Sequence, residues 1–393
     1  MAASEPARVP VRELTLRPAL AAAFPPTRAA ALERVRSVDE RAYARTRNHL
    51  RGAVSRLSPY LTHGLVSVPE VLAIVAPDAA GKFAQELAWR EFFQLVYERD
   101  GRSIFDDRFG PQPRRSASAH PRRLPRAIME GRTGIDALDD AVRSLLDGGY
   151  VHNHARMWLA SVTCHLAGAD WRAGAAWFFF HLLDGDLASN TLSWQWVAGT
   201  GSHKPYLANQ ANLDRFSDRA QRGTFLDRPT SELLAGPVPA TLAESFELDL
   251  PATIPDLPPP RLDPDRPLLA YHPWALDATW RAGDDAERWL LLEPALFARH
   301  PWSRDRLAWV LSAASEVPGL RVAVADARSL LADRVAAAER GDAAPVRHRL
   351  HPAVAHWPGP GDPAPRAFAQ RWAHASAPRS FSAFWTRVGP DGR

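Results

Sequence analysis

The chain has 393 residues but a single cysteine, Cys164. One thiol excludes a disulfide within the chain and any zinc–thiolate or iron–sulfur site built from several cysteines. Lysine is nearly absent as well, with only Lys82 and Lys204, so the positive charge is almost all arginine. A GC-rich codon bias accounts for that without any function. Arginine forks also suit phosphates, but with a formal net charge of only +4 the composition supports polyanion binding weakly. No apolar run reaches the roughly 18 residues needed to cross a bilayer. The opening stretch MAASEPARVPVRELTLRPALAAAFPP lacks the usual secretory apolar core. A cytoplasmic protein without a membrane partner is therefore expected. Dinucleotide and phosphate-loop fingerprints are missing, and so are the H-E-x-x-H and G-x-S-x-G motifs. His152 and His154 alternate, so on a helix they diverge by about 200° and make poor joint ligands. No metal site is expected.

What is present is ordinary globular sequence, 46% hydrophobic and 23% charged. The length suggests two or three domains. Residues 1–26 read as a poorly ordered lead-in. From residue 27 to 222 helical periodicity dominates. KFAQELAWREFFQLVYERD sets apolar residues on one side with charges between them. GIDALDDAVRSLLDGGY does the same and stops at Gly148-Gly149. VHNHARMWLASVTCHLAGAD and WRAGAAWFFFHLLDGD add two more helices. Residues 223–266 are proline-rich, which prevents long helices and marks a linker. Residues 267–356 carry strand-length runs, PLLAYHP, RWLLLEPA and LRVAVADA, with the helical SRDRLAWVLSAASEV between the last two. That spacing predicts a small α/β domain with a parallel sheet. Residues 357–393 hold scattered Trp, Phe and Arg and read as a tail. The expected class is mainly α, an all-helical domain followed by a linker and a smaller α/β domain.

Four constellations lie in the helical part. Ser55 and Ser58 flank a helix start near Pro59, where free N–H groups suit a phosphate or simply a cap. Glu86, Trp89, Arg90 and Phe93 fall at i, i+3, i+4 and i+7, one helical face. Carboxylate, indole and guanidinium there suit a planar ligand, or else form a buried Trp beside a Glu86–Arg90 ion pair. Asn153, Arg156 and Met157 share a second face, with an amide for a base edge and a soft thioether. The fourth is the loop DGDLASNTLSWQW. Asp184, Gly185 and Asp186 form a turn, Asn190 follows, and Trp194 and Trp196 point to different sides. With Trp171 upstream the indoles form either a short electron path or an aromatic core.

Taken in order, these pieces resemble the flavin-binding helical domain of the photolyase/cryptochrome family. The matching segments are VSRLSPYLTHGLVS, ELAWREFF, TGIDALDDAVRSLLDGGYVHNHARM, DWRAGAAWF and DGDLASNTLSWQWVAGTG. They cover roughly residues 30–216, about half of the chain. The resemblance implies a folded-back FAD inside the helical domain. Tyr43 and the segment Val54, Ser55, Arg56, Leu57, Ser58 would hold its phosphate side, with Val54 standing where the family commonly has Thr. Arg90 would lie near the cofactor. Asp184, Gly185 and Asp186 would meet the ribose–flavin region, Arg156 would pair with Asp184, and Asn190 would sit near the reactive ring nitrogen. Glu86, Trp89, Asn153, Met157 and Trp196 match positions that line the pocket for a cyclobutane pyrimidine dimer.

The implied activity is light-driven splitting of that dimer in damaged DNA, a deoxyribodipyrimidine photolyase working as a monomer. The alternatives are a cryptochrome-like blue-light receptor and a nucleic-acid-binding flavoprotein without repair. Two departures stand out. Trp194 and Trp171 match an electron relay, but RRSASAHPRRLPRAIM has no aromatic residue where the family usually places a third Trp. Trp158, Trp177 or Tyr206 are its candidate replacements. The α/β part follows the helical part, where the family usually has it in front, and no motif assigns an antenna chromophore. The run RRSASAHPRRLPR is expected either to track DNA phosphates or to be a solvated basic loop.

Overall fold

A computed structural model describes residues 5–202, 204–372 and 378–390. The chain forms two compact units that are not sequential blocks. One comprises residues 1–37, 56–74 and 250–367, the other 38–55, 75–249 and 368–393. This differs from the sequential division expected above, and the reason is local in each case.

The first unit is built on a five-stranded sheet. Its strands are β1 (Leu268–Tyr271), β2 (Glu287–Leu292), β3 (Leu320–Val324), β4 (Val346–Arg349) and β5 (Gly361–Asp362). All neighbours are parallel and the order is β3-β2-β1-β4-β5, that of an open doubly wound sheet. LLAY in β1 is buried throughout, as a strand covered on both faces requires. The helix Arg304–Ser315 joins β2 to β3 as its spacing predicts, capped by Ser303 accepting from the Arg306 N–H. The expected lead-in is integral to this unit. Ala7–Val9 pairs in parallel with Thr253–Pro255, and Leu20 and Phe24 are buried. The Trp309 indole donates to the Phe24 carbonyl at 2.7 Å.

The second unit is helical. Its main elements are α1 (Glu40–Thr46), α2 (Gly81–Asp100), α3 (Asp136–Gly148), α4 (Asn153–Ser161), α5 (Trp171–His181), α6 (Leu187–Ala198) and α7 (Phe381–Val388). α3 ends at Gly149, whose φ of 57° suits glycine. The expected linker is tied down rather than free. Ser245–Glu247 pairs antiparallel with Arg123–Pro125, and Leu226, Leu233, Leu242 and Ile254 are buried. Proline limits these segments to three-residue strands and single turns without preventing burial. The expected tail is also structured. Phe381, Phe384 and Val388 recur at i, i+3 and i+7 and form the buried face of α7, and Ser380 caps it. The buried Glu91 carboxylate of α2 accepts the Phe368 and Ala369 N–H groups at 2.9 and 2.7 Å. Among the described residues, no helix is long and apolar enough to cross a membrane.

Candidate flavin site and its aromatic surroundings

The turn Asp184-Gly185-Asp186 joins α5 to α6. The segment from Leu187 to Ala198, read above as loop, is helix. Asp186 is its cap, with one carboxylate oxygen accepting the Ser189 N–H at 2.8 Å. The other oxygen accepts Gln94 Nε2 of α2 at 2.7 Å. An acidic cap and Gly199 at the far end, φ 81°, are the ordinary signals of such a helix.

Asp184 pairs with Arg156 of α4 at 2.8 Å, as anticipated, and the Arg156 Nε donates to the Val151 carbonyl at 2.8 Å. Burial opposes the Arg156 charge, but Asp184 outweighs it and raises its pKa. Tyr150, which the sequence did not single out, lies 5.4 Å from the Arg156 guanidinium. Tyr43 of α1 meets Phe83 of α2 edge-on at 5.1 Å. Burial pushes the Tyr43 phenol up, and the charges of Glu86 and Tyr150 push the same way, so both lie near it. The helical unit thus brings Tyr43, Glu86, Tyr150, Arg156 and Asp184 into one neighbourhood.

Glu86 of α2 draws on two cations, one of them at i,i+4. Its carboxylate takes Arg47 at 3.2 Å and Lys82, one turn earlier, at 3.0 Å. Arg90 and Trp89 share its helix and are half-buried. Trp89 is stacked on Phe381 of α7, with centroids 3.7 Å apart and planes 9° off parallel. One face of this expected pocket wall is therefore covered by the chain itself. Asn153 is exposed, and its amide lies 4.0 Å from the Met157 sulfur. Asn190 Nδ2 donates to the Ala175 carbonyl at 2.8 Å, which leaves its carbonyl oxygen outside that bond.

The serine segment divides between the units. Val54 and Ser55 belong to the helical unit, while Arg56, Leu57 and Ser58 belong to the sheet unit. Arg56 has φ 50°, and Ser58 opens a helix of five residues ending at Thr62.

The two indoles of α6 part as i and i+2 require. Trp194 is 3% exposed and Trp196 is 40% exposed. Trp196 stacks on Tyr206 at 5.7 Å. Trp194 meets Phe178 edge-on at 5.0 Å. Its ring also fills the space beside Gly174, where an added Cβ would lie 2.2 Å from a ring carbon. Of the candidate outer stations, Trp158 and Trp177 are buried, and the Trp158 N–H is bonded to Asn212. In the basic run, Arg114 and Arg123 donate to backbone carbonyls, and Arg115, Arg122 and Arg126 pair with carboxylates.

Residues 83–241 match the profile of the FAD-binding domain of DNA photolyase. A deoxyribodipyrimidine photo-lyase from Streptomyces griseus is 41% identical over 155 residues, covering 38% of this chain and 33% of its own. Residues 83–241 thus carry a FAD-binding domain of the DNA photolyase type. A cryptochrome DASH from Natronomonas pharaonis is 34% identical over 216 residues, 52% of this chain and 44% of its own. A crystal structure of a class III photolyase from Agrobacterium tumefaciens gives a TM-score of 0.45 at 27% identity, covering 51% of this chain and 46% of that one. The chain thus spans a third to under half of the length of these curated relatives.

The photolyase-type domain is one that binds FAD, and its polar residues fit such a ligand. Ser189 Oγ and Gln94 Oε1 are buried and have no hydrogen-bond partner among the described residues. Both belong to residues bonded to Asp186. Buried polar atoms are rarely left unbonded, so a hydroxyl-rich ligand beside Asp186 accounts for both.

Proposed function

We propose that the chain is a light-driven DNA repair flavoprotein that splits cyclobutane pyrimidine dimers. The observation that carries this reading is the division of labour along α6. From one helix that begins at the Asp186 cap, Trp194 turns into the core and Trp196 turns to solvent, where a base can stack on it. Tyr43, Ser55, Arg90, Arg156, Asp184 and Asp186 of the helical unit would hold FAD, which when reduced would supply the electron. The remaining work is placement and electrostatics by the protein. Glu86, paired with Arg47 and Lys82, accepts from pyrimidine N–H groups of a dimer flipped out of the duplex. Asn153 and Met157 offer an amide and a thioether from one exposed face of α4. Trp89 contributes only the part of its ring that Phe381 leaves open.

That covered face favours a second reading, a blue-light receptor that does not repair. The test is dimer loss from ultraviolet-damaged DNA with FAD-loaded, chemically reduced protein in blue light and in darkness. Loss in light alone supports repair, and no loss with flavin bound leaves the receptor. Glu86→Ala is expected to lower the repair yield at unchanged FAD content. Asp184→Ala is expected to lower FAD content itself, and normal flavin retention in that variant would remove Asp184 from the site.

A further inference from the structure

We propose that Asp107 is the proton acceptor for Trp171 when that indole is oxidised, so that Trp171 ends the electron relay. This rests on reading Trp194 and Trp171 as relay stations. Trp171, Gly174 and Phe178 fall at i, i+3 and i+7 on α5, one face. The Trp194 ring lies on that face, against Gly174 and edge-on to Phe178. It is therefore within about one helical pitch, ~5.4 Å, of the turn that Trp171 opens.

Trp171 is 1% exposed, too buried to be an outer station that exchanges with solvent. Its Nε1–H donates to Asp107 Oδ1 at 2.8 Å. The Asp107 side chain is 17% exposed and so stands between the indole and water. Arg115 and Arg172 bind the same carboxylate at 2.9 and 3.1 Å, and both also reach Asp170, at 3.5 and 3.3 Å. The Arg172 guanidinium lies 4.9 Å from the Trp171 ring. Arg115 comes from the basic run that lacks the family's third Trp.

The chemistry follows from charge. Trp194 would give up an electron to a photo-excited, oxidised flavin, and the Trp194 radical cation would take one from Trp171. The Trp171 radical cation is then a strong acid held in a dry site. Its Nε1 proton passes to Asp107 Oδ1, giving a neutral indole radical and a neutral carboxylic acid. One electron and one proton have moved, and total charge is conserved. A cation with no water around it costs several kcal/mol. The transfer leaves the excess positive charge on Arg172 and Arg115, whose side chains are 25% and 29% exposed. Neutralising the buried cation favours the transfer, and electron return must then carry the proton back.

The test uses FAD-loaded full-length protein and transient absorption, which separates protonated from deprotonated indole radicals. Wild type is expected to give the deprotonated radical, more slowly in D2O. Asp107→Asn keeps a hydrogen-bond acceptor but not a base. It is expected to deprotonate about 100-fold more slowly, the low end of what a positioned base contributes. Asp107→Glu should restore the wild-type signature, which a purely structural role would not predict. A radical that stays protonated in wild type, or equal deprotonation in Asp107→Asn, overturns the proposal while leaving the relay. No indole radical at all in wild type removes the relay and the proposal together.

Discussion

Gly174→Ala sets two effects of opposite sign against each other. Helix propensity alone favours the change by about 1 kcal/mol, since glycine inside a helix is that much worse than alanine. Sterics oppose it. The new Cβ would meet three Trp194 ring carbons at 2.2, 2.3 and 2.9 Å. Carbon atoms rest at about 3.5–4.0 Å, so the indole must retreat by more than an ångström. Trp194 is 3% exposed and braced by Phe178, so it has nowhere to go without moving its neighbours. Overpacking of this kind typically costs about 1–3 kcal/mol. The shift needed here is large for a single methyl, which places the cost at the upper end and the net loss at about 1–2 kcal/mol after the propensity gain. Urea denaturation followed by Trp fluorescence measures it as a lower midpoint at unchanged slope. Gly148→Ala is the control. It ends α3 with nothing within 4 Å of an added Cβ, so it should be neutral or slightly stabilising. A Gly174→Ala protein as stable as wild type, or more so, would show that Trp194 does not occupy that space.

Three further outcomes are expected. Glu91→Ala strips two buried N–H groups of their acceptor and should cost about 1–3 kcal/mol. It should read as faster amide exchange at Phe368 and Ala369, and unchanged exchange there would refute the anchor. Asp362 is held down to about 2, first by its hydrogen bond from Arg281 and also by Trp280 and Arg347. A depressed carboxylate stabilises the fold above its unfolded value and loses that contribution as pH falls through about 2. After discounting for exposure, Asp362→Asn should cost about 1 kcal/mol at pH 7, shrinking toward zero near pH 2. A gap that stayed constant with pH would count against the ion pair. Phe381→Ala removes the ring stacked on Trp89. Trp fluorescence should change and denaturation should reveal a loss of about 3 kcal/mol for a truncated core Phe, whereas an unaltered emission spectrum would mean the stack does not form.

What the sequence made legible was periodic. α2, α3, α5 and the strands β1 to β3 lie where the apolar pattern put them. What it hid had specific causes. β4 reads VRHR, a strand whose burial alternates beneath charged letters, and β5 is two residues long. The period of α7 is present at Phe381, Phe384 and Val388, but it spans barely two turns among other aromatics. Proline-rich sequence reads as a free linker, yet proline forbids only long helices and interior ladder bonds. In the site, spacing put Arg156, Asp184 and Asn190 in order but did not reach Arg47 as a cation for Glu86. Arg47 lies far off in the sequence, where no i,i+4 rule reaches. Asp107 escaped notice because its partner Trp171 is 64 residues away.

The interleaving of the two units sets a schedule for synthesis. Ala7–Val9 finds its strand partner only at Thr253–Pro255. At about 5–20 residues per second, a ribosome needs roughly 12–50 s to supply it. For that time the N-terminal segment, with Leu20 and Phe24 meant for burial, has no sheet to join. The helical residues 75–249 emerge in between and can settle first. The sheet unit must then gather three separate stretches of chain, and the helical unit still waits for residues 368–393. Neither unit can be released by a single cut, and a ribosome stalled before residue 250 would hold a helical half and an unprotected apolar arm.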